Sequence, residues 1–213
     1  MKKWILPLGL IVTAVVISIS VYGRMPDQIP IHWNAYGEPD NYASKPIALF
    51  LLPAFMLVTL LIVKLIPIID PRRENLKKNI KDIDTVNFFI ILTLFAIHVV
   101  TIIYNLGHEI DMTIVPSLIG GALFLIIGNY MPRFKHNYMI GLRTPWTLAD
   151  ENVWRKSQLV GGRIMFLAGL IMIFSGFLPL PWMFIVFFGT VVVSTAIAVL
   201  ASYLIYKKEH PNS

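Results

Sequence analysis

Ile140-Gly141-Leu142-Arg143-Thr144-Pro145-Trp146-Thr147-Leu148-Ala149-Asp150-Glu151-Asn152-Val153-Trp154-Arg155-Lys156 is a polar, aromatic and basic island in a chain that is otherwise mostly hydrocarbon. On each side of it lies an apolar run long enough to cross a bilayer, for which roughly 20 residues suffice. The island therefore reads as a loop between membrane spans. A second island, Pro26 to Pro46, interrupts the first apolar stretch in the same way. The expected organisation holds these two islands at opposite faces of a membrane.

Composition supports that class. Of 213 residues, 56% are apolar and 14% are charged, and the mean hydropathy is +0.70, too apolar for a soluble domain of this length. The absence of Cys removes disulfide frameworks, thiolate metal sites and cysteine nucleophiles. A net charge of +6 raises nucleic acid as a partner, but the basic residues sit in short segments flanking apolar runs. That is the distribution of a topology signal, so no direct nucleic-acid contact is expected.

The apolar runs predict an all-α polytopic membrane protein of six transmembrane helices, near residues 4–21, 47–69, 86–106, 114–131, 159 or 164 to about 180, and 182–206. The first run resembles a signal peptide, but it is long for one and no Ala-x-Ala site follows. The last two runs are parted only by Pro179-Leu180-Pro181, read as a tight hairpin or a broken single segment. Four regions follow: a first helical pair (1–69) with an outer loop (22–46), a basic cytoplasmic loop (70–85), a central pair (86–131), and a final region (132–213) with its own cytoplasmic loop (132–158). Lys and Arg concentrate at Lys2 and Lys3, between Arg72 and Lys81, between Arg133 and Lys156, and at Lys207 and Lys208. Basic residues are retained on the cytoplasmic side, which predicts both termini inside and the Pro26 to Pro46 loop outside.

The outer loop should be ordered. Pro26 and Pro30 keep it extended, and alternation predicts Ile29, Ile31 and Trp33 on one side with His32 and Asn34 on the other. Gly37 and Pro39 turn the chain, and Ser44 with Pro46 reads as the cap and first turn of the second helix. His32, Glu38 and Asp40 are metal-capable types, but their spacing matches no standard site, and no metal or cofactor is expected. Trp33, Tyr36 and Tyr42 suit either an interface belt or a peptide-binding patch. In the inner loop Thr147 reads as an N-cap with Asp150 as its partner. It predicts a short interfacial helix from Leu148 that ends where Gly161-Gly162 lets the chain turn inward. Arg143, just before that cap, suits a lipid phosphate or an acidic partner.

Within the spans, His98, Thr101 and Asn105 share one helix face. They suit a proton-sensitive polar pathway or interhelical hydrogen bonds that hold the bundle. Thr190, Ser194, Ala198 and Ser202, and likewise Ser117 and Gly121, form small-residue packing seams.

The segments Met25-Pro26-Asp27-Gln28-Ile29-Pro30-Ile31-His32-Trp33-Asn34, Gly37-Glu38-Pro39-Asp40 and Ser44-Lys45-Pro46 resemble the amino-terminal DUF1648 segment of the SdpI immunity proteins. Ile140 to Leu148, with Val153-Trp154 and Gly161-Gly162, resembles that family's carboxyl-terminal signature. The two motifs stand in the family's order and span essentially the whole chain. The resemblance implies a multi-pass protein of the bacterial plasma membrane that protects its cell against a secreted toxin peptide. It also implies a signalling receptor that sequesters a cytoplasmic autorepressor, and no enzymatic activity. Its motif residues make His32, Trp33, Asn34, Gly37 and Asp40 the outer binding candidates. Arg143, Thr144, Pro145, Trp146, Asp150 and Trp154 are the inner ones, beside membrane lipids.

Two other classes remain at this stage. A small transporter or channel would use the His98, Thr101 and Asn105 face, although no span carries Asp or Glu in its interior. A membrane enzyme would need a nucleophile or metal motif, and the chain has neither HExxH nor GxSxG.

Overall fold

The computed structural model describes residues 4–211; Lys2 and Lys3, part of the orientation argument, lie outside the described residues. Six helices are long and apolar enough to span a membrane. In chain order the elements are α1 (Ile5–Val21), a hairpin of β1 (Gln28–Trp33) and β2 (Pro39–Ser44), α2 (Lys45–Ile69), α3 (Arg73–Lys78) and α4 (Ile80–Asn105). They continue with α5 (Val115–Tyr130), α6 (Pro145–Ala149), α7 (Glu151–Ser175) and α8 (Trp182–Glu209). The expected all-α, six-span membrane class stands, with one small antiparallel hairpin added.

Two groups of spans make the bundle. α1, α2 and α4 pack on one another, α5, α7 and α8 form the second group, and α4 against α5 joins them. The first group has its core in layers. Met25, Ile29, Ala48, Leu49 and Ile102 fill the hairpin end, Ile11, Ala14, Met56, Leu60 and Ile91 the middle, and Leu76, Ile83, Val86 and Phe134 the island end. The second group closes by backbone proximity. A Cβ on Gly128 would stand 2.5 Å from Phe166 N and 2.7 Å from the Gly162 carbonyl, and one on Gly121 would stand 2.8 Å from the Gly169 carbonyl. Only glycine admits such an approach between membrane helices, where close packing replaces the hydrophobic drive.

Four local expectations change. Gly161-Gly162 does not turn the chain: α7 runs unbroken through both, and they serve the contact with α5. The N-cap is Thr144, not Thr147, and the short helix starts at Pro145, because the Thr144 hydroxyl accepts from Thr147 N while Thr147 Oγ1 accepts from Thr144 N. Asp150 caps α7 instead, accepting from Val153 N at 2.8 Å. The basic connection is also no open loop, since α3 fills part of it and α4 begins at Ile80. The final Pro-Leu-Pro segment makes a hairpin between α7 and α8.

Candidate functional site

The described chain presents two structured ends. At the hairpin end, Asn34 builds the turn: its Oδ1 accepts from Tyr36 N at 2.8 Å and Glu38 N at 3.1 Å. Gly37 closes the turn at φ 77°, in the left-handed region that favours glycine, and packs on Thr113 of the α4–α5 connection. The strand register slips between Pro30 and His32 and again before Trp33. The expected alternation therefore breaks: Ile29 is 1% exposed but Ile31 is 38% exposed. Such irregularity re-aims side chains.

The hairpin is docked on the helices. Trp33 meets Tyr104 edge to face at 5.1 Å, Asn105 donates to the Pro30 carbonyl at 3.4 Å, and Lys45 pairs with Asp27 at 3.2 Å at its base. Trp33 Nε1 is buried with no acceptor among the described residues. His32 Nδ1 and Asp40 Oδ1 meet at 2.5 Å across the strands on the exposed side, near exposed Tyr42. Of the outer candidates, His32 and Asp40 are presented together, Asn34 and Gly37 shape the turn, and Trp33 anchors it. Among the described residues no group of three or more metal-capable side chains gathers.

At the opposite end, loop 134–144 is held by buried side chains that satisfy its backbone. Asn137 donates to the Lys135 and Ile140 carbonyls and accepts from Met139 N and Ile140 N. Gln158, fully buried on α7, accepts from Leu142 N and donates to Leu142 O, each at 3.0 Å. Gly141 sits beside it at φ 114°, where a Cβ would fall 2.6 Å from Gln158 Oε1. Asp70, 2% exposed, accepts from Arg72 N at 2.6 Å and Tyr138 N at 2.9 Å. Asn79 donates to Arg133 O and accepts from Lys135 N. Buried backbone groups need such partners, and these side chains supply them along the loop.

The inner candidates fall around this loop with different duties. Trp154 is 1% exposed, donates to Phe134 O at 2.9 Å and lies 5.1 Å from the His136 ring. Trp146 ties α6 to α8 through Ser202 Oγ at 2.8 Å, Thr144 is buried as cap, and Pro145 takes the first turn, where its missing N–H costs nothing. Arg143 is exposed and donates to Tyr138 O at 2.7 Å, while the Arg72 guanidinium lies 4.8 Å from the Tyr138 ring centre. Burial and the Arg72 charge push the His136 imidazole below its usual range. Arg143, Tyr138 and Arg72 thus form a cationic and aromatic patch at this end.

Between the ends, His98 is 1% exposed. Its Nε2 lies 3.1 Å from Ser18 Oγ, which donates to Leu49 O at 2.7 Å, joining α4, α1 and α2. Asn105 bonds Thr101 O at 2.8 Å. The His98 contacts join helices, whereas the Asn105–Thr101 bond lies within α4. Ser18, Asp70, Asn79, Asn137 and Gln158 were not singled out from sequence. The signal for them was a polar residue in or beside an apolar run, which tells that a partner exists but not which.

The profile described as "Domain of unknown function (DUF1648)" matches residues 9–57, and that of the "SdpI/YfhL protein family" matches residues 133–203. The chain is similar to the Immunity protein SdpI of Bacillus subtilis (strain 168), 31% identical over 209 residues that cover 98% of each chain. No solved structure matches. With the hairpin inside one matched segment, the hydrogen-bonded island loop inside the other, and the similarity running end to end, this multi-pass membrane protein belongs to the SdpI/YfhL family.

Proposed function

We propose that this chain is a bacterial plasma-membrane immunity protein that protects its cell against a secreted Sdp-type toxin peptide, met at the hairpin end. The observation that carries this reading is the 31% identity over 98% of the chain to a protein named for immunity. The hairpin suits the role, since it is anchored by Trp33 and Ile29 yet presents His32, Asp40, Tyr36 and Tyr42 outward. A preorganised surface binds without an ordering cost.

Charge supports the orientation. The hairpin end carries Asp27, Glu38, Asp40, Glu109 and Asp111 against only Arg24 and Lys45, while the other sixteen Lys and Arg fall within 2–3, 64–81, 133–163 and 207–208. The positive-inside rule then puts the hairpin outside and both termini in the cytoplasm. There Arg143, Tyr138 and the basic α3 form a surface suited to an acidic cytoplasmic partner, and sequestration of an autorepressor is the proposed use. Transport gains no support from His98, whose Nε2 is engaged between helices.

The test is survival. Wild type, Trp33→Ala, Asp40→Ala and Arg143→Ala are expressed at matched membrane levels in a sensitive bacterium and challenged with a secreted Sdp-type toxin. Wild type is expected to protect, the two hairpin changes to lower survival by about tenfold or more, and Arg143→Ala to keep protection. Failure of wild type to protect would overturn the reading.

A further inference from the structure

The exposed side of α7 carries charges that neither toxin contact nor partner recruitment uses. Arg155, Leu159, Arg163, Leu167 and Ile171 follow at intervals of four, so they share a face, and all are exposed. Arg163 stands twelve residues in from Glu151, about 18 Å along the axis. Among the described residues neither Arg155 nor Arg163 has a hydrogen-bond or ion-pair partner. A guanidinium on the exposed face of a membrane-spanning helix is costly unless it reaches an anion or the headgroup layer. Helical side chains lean toward the N-terminus, so the Arg163 stem runs back toward the island end.

An apolar groove lies just beyond it. Ile164, Leu167 and Ile171 of α7, with Ile185, Val193 and Ile197 of α8, line an open trough of about 510 Å³. Gly189 is in its wall, with nothing within 4 Å of where a Cβ would stand. Because α7 and α8 run antiparallel, Ile164 and Ile197 mark the end nearest the island, and Arg163 adjoins Ile164 there.

We propose that this groove binds one anionic glycerophospholipid from the leaflet at the island end, an acyl chain in the trough and the phosphate on Arg163. Arg155, about 12 Å nearer the island, adds positive potential over the headgroup. Charge decides between this occupant and a second copy of the chain. Side-by-side copies would set Arg163 against Arg163, while the acids of α7 and α8 are Glu151 and Glu209 at their island ends, the latter already paired with Lys156.

The test uses the full chain in detergent, with native mass spectrometry reading retained lipid. The probes are dioleoyl phosphatidylglycerol, dioleoyl phosphatidylcholine, and glycerol 1-phosphate as a headgroup without tails. Wild type is expected to retain the anionic lipid about tenfold over the zwitterionic one. Arg163→Gln should erase that preference, Arg163→Lys should keep most of it, and Gly189→Leu, which fills the trough, should weaken both lipids. Wild-type preference in Arg163→Gln would overturn the proposal. So would displacement of lipid by equal glycerol 1-phosphate, which would assign Arg163 to a soluble anion, or a dimer abolished by Gly189→Leu, which would assign the groove to a second copy. Thermal unfolding of each variant separates lost binding from lost fold, and the Arg163→Lys and Gly189→Leu pair decides if Arg163→Gln unfolds.

Discussion

Gln158 shows how one buried amide can hold a functional loop. Its carboxamide completes both backbone groups of Leu142, and Gly141 leaves it the room. Gln158→Leu keeps the volume but strips the Leu142 N–H of its acceptor, leaving the carbonyl only Thr147 Oγ1. A buried polar group left without a partner costs about 1–3 kcal/mol. Denaturant unfolding in detergent should show a loss of that size, and proteolysis between Tyr138 and Arg143 should accelerate. Unchanged stability and cleavage would mean that Asn137 and Asp70 suffice. From sequence, Gln158 was one polar residue near the start of a span; its partner sixteen positions earlier came from the fold.

The glycine seam between α5 and α7 governs how the second group of helices closes. At Gly128 the nearest atoms are all backbone, which cannot rotate away as a side chain can; at Gly121 the Ile173 side chain is nearest, at 2.6 Å, with the Gly169 carbonyl at 2.8 Å. Gly128→Ala should therefore force the helices apart and lower the unfolding midpoint by several degrees, a cost of about 1–3 kcal/mol for overpacking. Gly9→Ala, where nothing lies within 4 Å, should leave it unchanged, and equal midpoints for the two variants would remove the seam from the account. The small-residue spacing made Ser117 and Gly121 legible as a seam. It misassigned Gly161-Gly162 as a turn, because glycine in a chain stretch serves either a bend or a close approach, and only the presence of α5 opposite decides which.

Across the whole molecule, the asymmetry of charge predicts the orientation, and the lack of Cys makes it simple to test. Single cysteines at Tyr36 and at Arg155 should react differently with a membrane-impermeant maleimide added to intact cells: Tyr36→Cys labelled, Arg155→Cys labelled only after lysis. The reverse pattern would invert the assignment of the two ends and with it the site of toxin contact. Span number, approximate span limits and the family motifs were all legible in the sequence, because twenty apolar residues and flanking charge are local properties of the chain. So were the two islands, though not Asp70, Asn79, Asn137 and Gln158, whose side chains hold the inner loop. The division of labour within each island was not. Trp33, Trp146 and Trp154 look alike as aromatic residues in polar loops, yet one anchors the hairpin on Tyr104, one ties α6 to α8, and one is buried beneath the island loop. Read alone, the sequence settles where the chain leaves the membrane; the tertiary structure decides which side chains are spent on holding each end and which remain outward, because burial depends on what the other helices bring opposite.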